Sequence, residues 1–197
     1  MNALVEVIGG DRTDQCILEK AWALQRLLGK VPIRSADACG FVVNRFFVPW
    51  LNEAVRILEE GFADVATIDA AAKHQFGIGM GPFELMNVTG VPIAMHSANT
   101  LATVFGPMYE PASRLVDQVE SDAKWDLDGE ADRSKFDAVT DRLMGVVFLV
   151  ASHLVDEDIG IIEDVDIGAR VGLRWPMGPF ELMNHVGTER ASELANS

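Results

Sequence analysis

Apolar positions change period along this chain, and each change marks an element. Ala3 to Ile8 is a short, largely β-branched run closed by Gly9-Gly10, which predicts a buried strand followed by a turn. Thr13 and Asp14 then open a helix whose apolar residues Ile17, Leu18, Ala21, Leu24, Leu27 and Leu28 recur at helical spacing, with Gly29 as its C-terminal cap. Val31-Pro32-Ile33 is a second extended segment. Strand, helix and strand over residues 1–37 form one βαβ-like unit, too small to cover a sheet by itself and therefore expected to be the edge of a larger one.

From Phe41 onward the period is helical and the chain repeats itself. GPFELMN stands at Gly81–Asn87 and again at Gly178–Asn184, 97 positions further on. The same offset pairs Arg45 with Arg142, Ala54 with Ala151, Glu60 with Glu157, Asp69 with Asp166, Ala72 with Ala169, Met80 with Met177 and Gly90 with Gly187, fourteen identities over 46 positions. Two copies of one helical module are expected, at 38–106 and 138–197, joined by a polar, acidic connection at 107–137. Each copy opens with a long apolar helix, Asn44 to Glu60 or Asp141 to Asp158. A shorter helix follows, capped by Asp64 or Thr67 in the first copy and by Glu163 or Asp164 in the second. The shared motif then sets Gly for a turn, Pro at the first helical position and Glu in the first turn, with Phe83, Leu85 and Met86 turned to the core.

Composition narrows the classes. The 197 residues are 49% hydrophobic and 23% charged, which is globular and long enough to bury a core. The longest apolar stretch, Met144 to Val155, is interrupted by Ser152 and His153 and falls short of the roughly 20 residues a membrane span needs, so no span is expected. No secretory leader is legible, and the expected compartment is cytoplasmic. A net charge of −14 with scattered cations excludes a nucleic-acid partner. Cys16 and Cys39 lie far apart and the four histidines form no HExxH, so no metal site is expected.

Few residues stand out as carriers of chemistry. Gly77-Ile78-Gly79-Met80-Gly81 has the look of a phosphate-binding loop, but a helix precedes it and Pro82 follows, so it reads as a tight turn. Asn44, after the extended run Phe41-Val42-Val43, suits either helix capping or donation of its amide to a substrate carbonyl, with the charge of Arg45 beside it. The second copy has Asp141 there, which cannot donate when ionised. Glu6 interrupts the first strand. Alternation sets it opposite Val5 and Val7, facing solvent or, in an interdomain setting, orienting a histidine.

LVEVI at Leu4–Ile8, LGK at Leu28–Lys30 with Pro32 after it, GFVVNR at Gly40–Arg45, Asn52-Glu53-Ala54 and Met80-Gly81-Pro82-Phe83-Glu84-Leu85 fall in an order and spacing that resembles the C-terminal part of the NAD-dependent 3-hydroxyacyl-CoA dehydrogenases. The resemblance covers nearly the whole chain. It implies a mainly α fold, two tandem copies of the helical C-terminal domain (6-phosphogluconate dehydrogenase C-terminal-like) behind a βαβ remnant of a Rossmann domain, as in multifunctional β-oxidation proteins. It assigns Glu6 to the glutamate that pairs with the catalytic histidine, and Asn44 with Arg45 to the substrate site. The histidine and the NAD-binding loop would lie outside these residues, so no cofactor is expected on the chain alone. Loss of the base alone costs about 100- to 10000-fold in rate. The implied partners are an acyl-CoA, the missing Rossmann domain, and either a second subunit or an intramolecular pseudo-dimer of the two copies, with Phe46–Leu58 and Leu143–Val155 as the seam. The expected function is the substrate-binding and dimer-type portion of a 3-hydroxyacyl-CoA dehydrogenase, inactive by itself. The alternative is a non-catalytic acyl-CoA-binding or assembly module.

Overall fold

The computed structural model describes residues 2–197, so Met1 of the expected first segment lies outside the described residues. Strands β1 (Leu4–Gly9) and β2 (Val31–Ala36) pair in parallel, with Glu6 opposite Ile33, and helix α1 (Gln15–Leu27) connects them. Leu18 packs so tightly on Gly9 that a Cβ there would come within 2.8 Å of it. The rest of the expected apolar stripe is uncovered: Leu27 is 85% and Leu28 63% exposed, and no residue of α1 is buried. Two strands offer too little area to cover both apolar sides of this helix.

The first lobe runs through α2 (Val43–Glu59), α3 (Val65–Phe76), α4 (Pro82–Thr89) and α5 (Val91–Phe105). Asp64 caps α3 by accepting the Thr67 N–H at 2.8 Å. The segment expected as a polar connection is partly structured. It contains α6 (Ser113–Glu120) and buries Tyr109, Leu115 and Trp125. Trp125 lies among acids, yet its ring meets Phe83 edge-on at 4.9 Å, and its backbone exchanges two 2.8 Å hydrogen bonds with the Asn87 amide.

The second lobe comprises α7 (Phe136–Asp156), α8 (Ile162–Ile167) continued by a π-helical turn at Gly168–Gly172, α9 (Pro179–Val186) and α10 (Thr188–Ala195). Helix α7 begins five residues before the expected Asp141, because buried Val139 and Thr140 extend its core face. Neither expected residue caps α8. Ile161 occupies that position, and Asp164 instead accepts the Arg34 N–H at 3.0 Å, joining the lobe to β2. Ala36 N–H adds a 2.8 Å bond to the Ile159 carbonyl.

Helices α2 and α7 pack along each other as the seam between lobes. Trp175 crosses it into an aromatic cluster, 4.7 Å from Phe76, 5.6 Å from Trp50 and 5.9 Å from Phe46 between ring centres. The ion pairs across the seam are reciprocal. Arg45 of the first copy holds Glu157 of the second, and Arg142 of the second holds Glu60 of the first, together with Glu53. Since Arg45 matches Arg142 and Glu60 matches Glu157, the contact has the self-complementary form of a twofold interface.

The expected shortness of the apolar stretch around Met144 to Val155 is corrected here, while a span is not thereby shown. Arg133–Asp156 is long and apolar enough, by length and composition, to cross a membrane, and 56% of its apolar window is buried inside the fold. Ser152 and His153 do not interrupt it, since both are accommodated half-buried within a helix packed against α2, α3 and α10.

Candidate functional site

The first turn of α2 needs hydrogen-bond acceptors, and its own sequence supplies none. The capping position falls to Val42, whose side chain accepts nothing. Glu6 fills the need from β1: its Oε2 accepts the Val42 N–H at 2.9 Å. Glu6 is therefore not a solvent-facing residue of a bare strand. Burial pushes its carboxyl above the usual carboxylate range, and the N–H groups of Val42 and Val43 pull against that shift. The positive end of α2 favours the ionised form in the same way.

Because Glu6 does the capping, Asn44 is released from it. Asn44 sits inside α2, serves no cap and is exposed. The chain reaches it through two successive left-handed residues, Gly40 at φ 79° and Phe41 at φ 45°. Glycine is required at the first, where a Cβ would lie 2.9 Å from Leu101. The result is a recess of about 440 Å3 lined by Glu6, Phe41, Asn44 and Phe47 of the first part of the chain and by Gly172 and Leu173 of the second lobe. A carboxylate and a free amide donor thus share one concavity, closed on one side by the repeat. Val7, on the opposite face of β1, lines a separate cavity against α1 and the second lobe.

Arg45 is not part of this recess. Its side chain is 2% exposed, with both oxygens of Glu157 at 3.1 Å from Nη2, the Tyr109 hydroxyl accepting from Nε at 2.9 Å, and the Phe105 ring 3.2 Å from the guanidinium carbon. The substrate contact expected of it is replaced by a clamp between lobes. Helical geometry is the reason, since consecutive residues point about 100° apart. In the second copy, Asp141 at the position of Asn44 is engaged by Arg190 at 2.6 Å.

The residues do not fit a dinucleotide. Asp11 and Asp14 occupy the loop between β1 and α1 where a pyrophosphate would need N–H donors, and Leu18 fills the approach to Gly9. Gly77–Gly81 follows a helix, and the Asp69 carboxylate stands against Gly81. Among the described residues no group of three His, Cys, Asp or Glu side chains is placed to hold a metal.

Sequence reasoning passed over Asp69 and Asp166, noted only as identities, and Glu53, Glu157 and Arg142 at the seam. Repeat identity at polar positions was the signal available for four of these five.

The family described as 3-hydroxyacyl-CoA dehydrogenase, C-terminal domain, matches residues 40–127 and again 139–197, one segment in each lobe. The 3-hydroxybutyryl-CoA dehydrogenase of Clostridioides difficile is 38% identical over 116 residues, 59% of this chain and 41% of that protein. The mitochondrial hydroxyacyl-coenzyme A dehydrogenase of Homo sapiens is 44% identical over 88 residues, 45% of this chain and 28% of that protein. The chain thus spans less than half the length of these curated relatives. Among solved structures, 3-hydroxybutyryl-CoA dehydrogenase from Escherichia coli superposes on 99% of this chain and 63% of its own, with a TM-score of 0.87 at 18% identity, a likeness of fold. The (S)-3-hydroxybutyryl-CoA dehydrogenase from Ralstonia eutropha covers 66% of this chain and 46% of its own, at a TM-score of 0.61 and 34% identity. With a mitochondrial protein among the relatives, the family is not specifically cytoplasmic.

Proposed function

This chain belongs to the 3-hydroxyacyl-CoA dehydrogenase C-terminal-domain family, and from that premise we propose that it is the substrate-binding and subunit-contact portion of an enzyme that oxidises 3-hydroxyacyl-CoA to 3-oxoacyl-CoA in fatty acid β-oxidation. The observation that carries this reading is the meeting of Glu6 and Asn44 in one recess at the start of α2. The Asn44 amide donates to a substrate oxygen, and Phe47 and Leu173 give the recess apolar walls. The Glu6 carboxylate, held in place by the Val42 N–H, orients a histidine contributed by the nucleotide-binding domain, which also holds NAD as hydride acceptor.

Two features support that partner domain. The apolar side of α1 formed by Ile17, Leu24 and Leu27, with Leu28 just past its end, is exposed, and among the described residues β1 has a neighbour on one edge only. Completing the sheet would cover both. The reciprocal seam supports a further part of the reading, in which the two lobes serve as an intramolecular pseudo-dimer and the unit sediments as a monomer at micromolar concentration.

The chain by itself supplies neither base nor hydride acceptor. Calorimetric titration with acetoacetyl-CoA is expected to show binding, and an assay with NAD and 3-hydroxybutyryl-CoA to show no turnover until the nucleotide-binding portion is added. Turnover by the chain alone near that of an intact enzyme would overturn the proposal. Binding with no activity on mixing would favour a non-catalytic acyl-CoA module.

A further inference from the structure

A second cavity, of about 410 Å3, adjoins the recess of Glu6 and Asn44: Phe47, Gly172 and Leu173 line both. Its walls come from the two lobes, with Trp50, Met80 and Leu85 on one side and Leu173 and Trp175 on the other. A single charged side chain, Arg174, lines it.

Arg174 is unusual in backbone. Its φ is 60°, in the left-handed region, and the repeat has Gly77 at the matching position with the same φ of 60°. A glycine holds this conformation without strain, whereas an arginine does not. The other arginines of the second copy, Arg142, Arg170 and Arg190, are each held by a carboxylate, and Arg174 is in no ion pair among the described residues. Arg174 is exposed, so in a chain with a net charge of −14 this unpaired cation, kept on strained backbone at the rim of an apolar cavity, is free to meet an anionic group that enters it.

We propose that this cavity receives the acyl tail of the thioester and that Arg174 selects tails ending in a carboxylate, so that ω-carboxyacyl-CoA is the preferred substrate class. The inference rests on the reading of Glu6 and Asn44 as the site of the reacting end. Apolar walls suit the methylenes, and one guanidinium fork suits one carboxylate through paired N–H donors. The phosphates of CoA carry several charges and would need a cluster of cations, which the cavity lacks.

The test is calorimetric titration of the full chain with matched pairs of four to six carbons: succinyl-CoA against butyryl-CoA, glutaryl-CoA against pentanoyl-CoA, adipyl-CoA against hexanoyl-CoA. At least one carboxylated member is expected to bind about tenfold more tightly than its neutral partner, a preference lost in Arg174→Gln and Arg174→Gly. Arg174→Gly installs the residue that the repeat has at Gly77, so its Tm should equal or exceed that of the parent chain. Quenching of Trp50 and Trp175 in a Trp22→Phe/Trp125→Phe background should accompany binding. Neutral members that bind without any carboxylate preference would overturn this inference and leave the reading of Glu6 and Asn44 intact. Failure of every acyl-CoA to bind would overturn both. Equal weakening of both members of each pair by Arg174→Gln would assign Arg174 to the CoA phosphates and overturn the selection of tails. A lower Tm in Arg174→Gly would make its role structural and do the same.

Discussion

The Asp69 carboxylate occupies the space that a side chain on Gly81 would need. Its oxygens accept the Phe83 and Glu84 N–H groups at 2.8 and 3.0 Å, and a Cβ on Gly81 would lie 2.4 Å from its carboxyl carbon. The second copy repeats the device: Asp166 accepts from Phe180 and Glu181 at 2.8 and 3.2 Å and stands against Gly178. This is why GPFELMN recurs. The glycine admits an aspartate from the preceding helix, the proline omits an N–H that would have no acceptor, and the glutamate pairs with Lys73 or Arg170.

Gly81→Ala and Gly178→Ala are therefore expected to destabilise by about 1–3 kcal/mol each, through crowding of the aspartate and loss of the cap. Gly178→Ala should be the more severe, because a Cβ there meets the Asp166 backbone at 2.3 Å, where no rotamer change relieves it. Urea unfolding midpoints would check the order, and equal stability of Gly178→Ala with the parent would refute the close approach.

The reciprocal seam predicts unequal costs for equivalent residues. Arg45 is buried at 2% exposure, so Glu157→Gln leaves a desolvated guanidinium with a weakened partner, costing about 2–3 kcal/mol. Glu60 is 53% exposed and shares Arg142 with Glu53, so Glu60→Gln should cost less than about 1 kcal/mol. By thermal unfolding that is roughly 4–10 °C against 0–3 °C. Similar losses in both variants would show that burial of Arg45 does not set the cost.

Much of this architecture was legible because it repeats. The period-3.6 pattern located α2 and α7, and the offset of GPFELMN paired the lobes before any packing was known. Glu6 could not be placed by the same means. Strand alternation describes a residue against its own sheet, whereas Glu6 is fixed by the N–H groups of α2, 36 residues away. Arg45 misled for the related reason that adjacency to Asn44 in sequence puts it on another face of the helix. Trp125 was hidden in an acidic stretch, since its burial depends on Phe83 and Asn87 and on nothing local. Trp175 and Arg174 first gain meaning as walls of a space between two lobes.

Stability should fall as pH rises through the weakly acid range. Burial raises the carboxyls of Glu6, Glu53, Asp69, Asp164 and Asp166 above their ordinary values, desolvation being the largest cause in each. A raised folded-state pKa means the native chain holds its proton more firmly than the unfolded one. The stability so contributed is complete below about pH 4 and is lost as pH climbs through the folded-state values. Glu59, Glu60 and Asp64 are lowered by their hydrogen bonds and act in the opposite sense, but they are exposed and screened. Self-repulsion at a net charge of −14 reinforces the first group. Tm at pH 5.5 is thus expected to exceed Tm at pH 7.5, and Glu6→Gln, which keeps an acceptor for the Val42 N–H, to reduce that difference. A Tm that falls steadily from pH 7.5 to 5.5 would show the lowered carboxyls to dominate.

Asn44→Asp converts the first copy to the residue of the second and separates folding from ligand binding. Asn44 is exposed and caps nothing, so the substitution should change stability by no more than about 0.5 kcal/mol. The new carboxylate cannot donate, and it would stand near Glu6, whose burial already disfavours its charge. Affinity for acetoacetyl-CoA should drop about tenfold or more, the worth of one hydrogen bond plus like-charge repulsion. Asn44→Ala should lose the hydrogen bond without the repulsion and fall between the two. If Asn44→Asp binds as the parent chain does, the amide makes no contact with the ligand, and the recess is not where the thioester reacts.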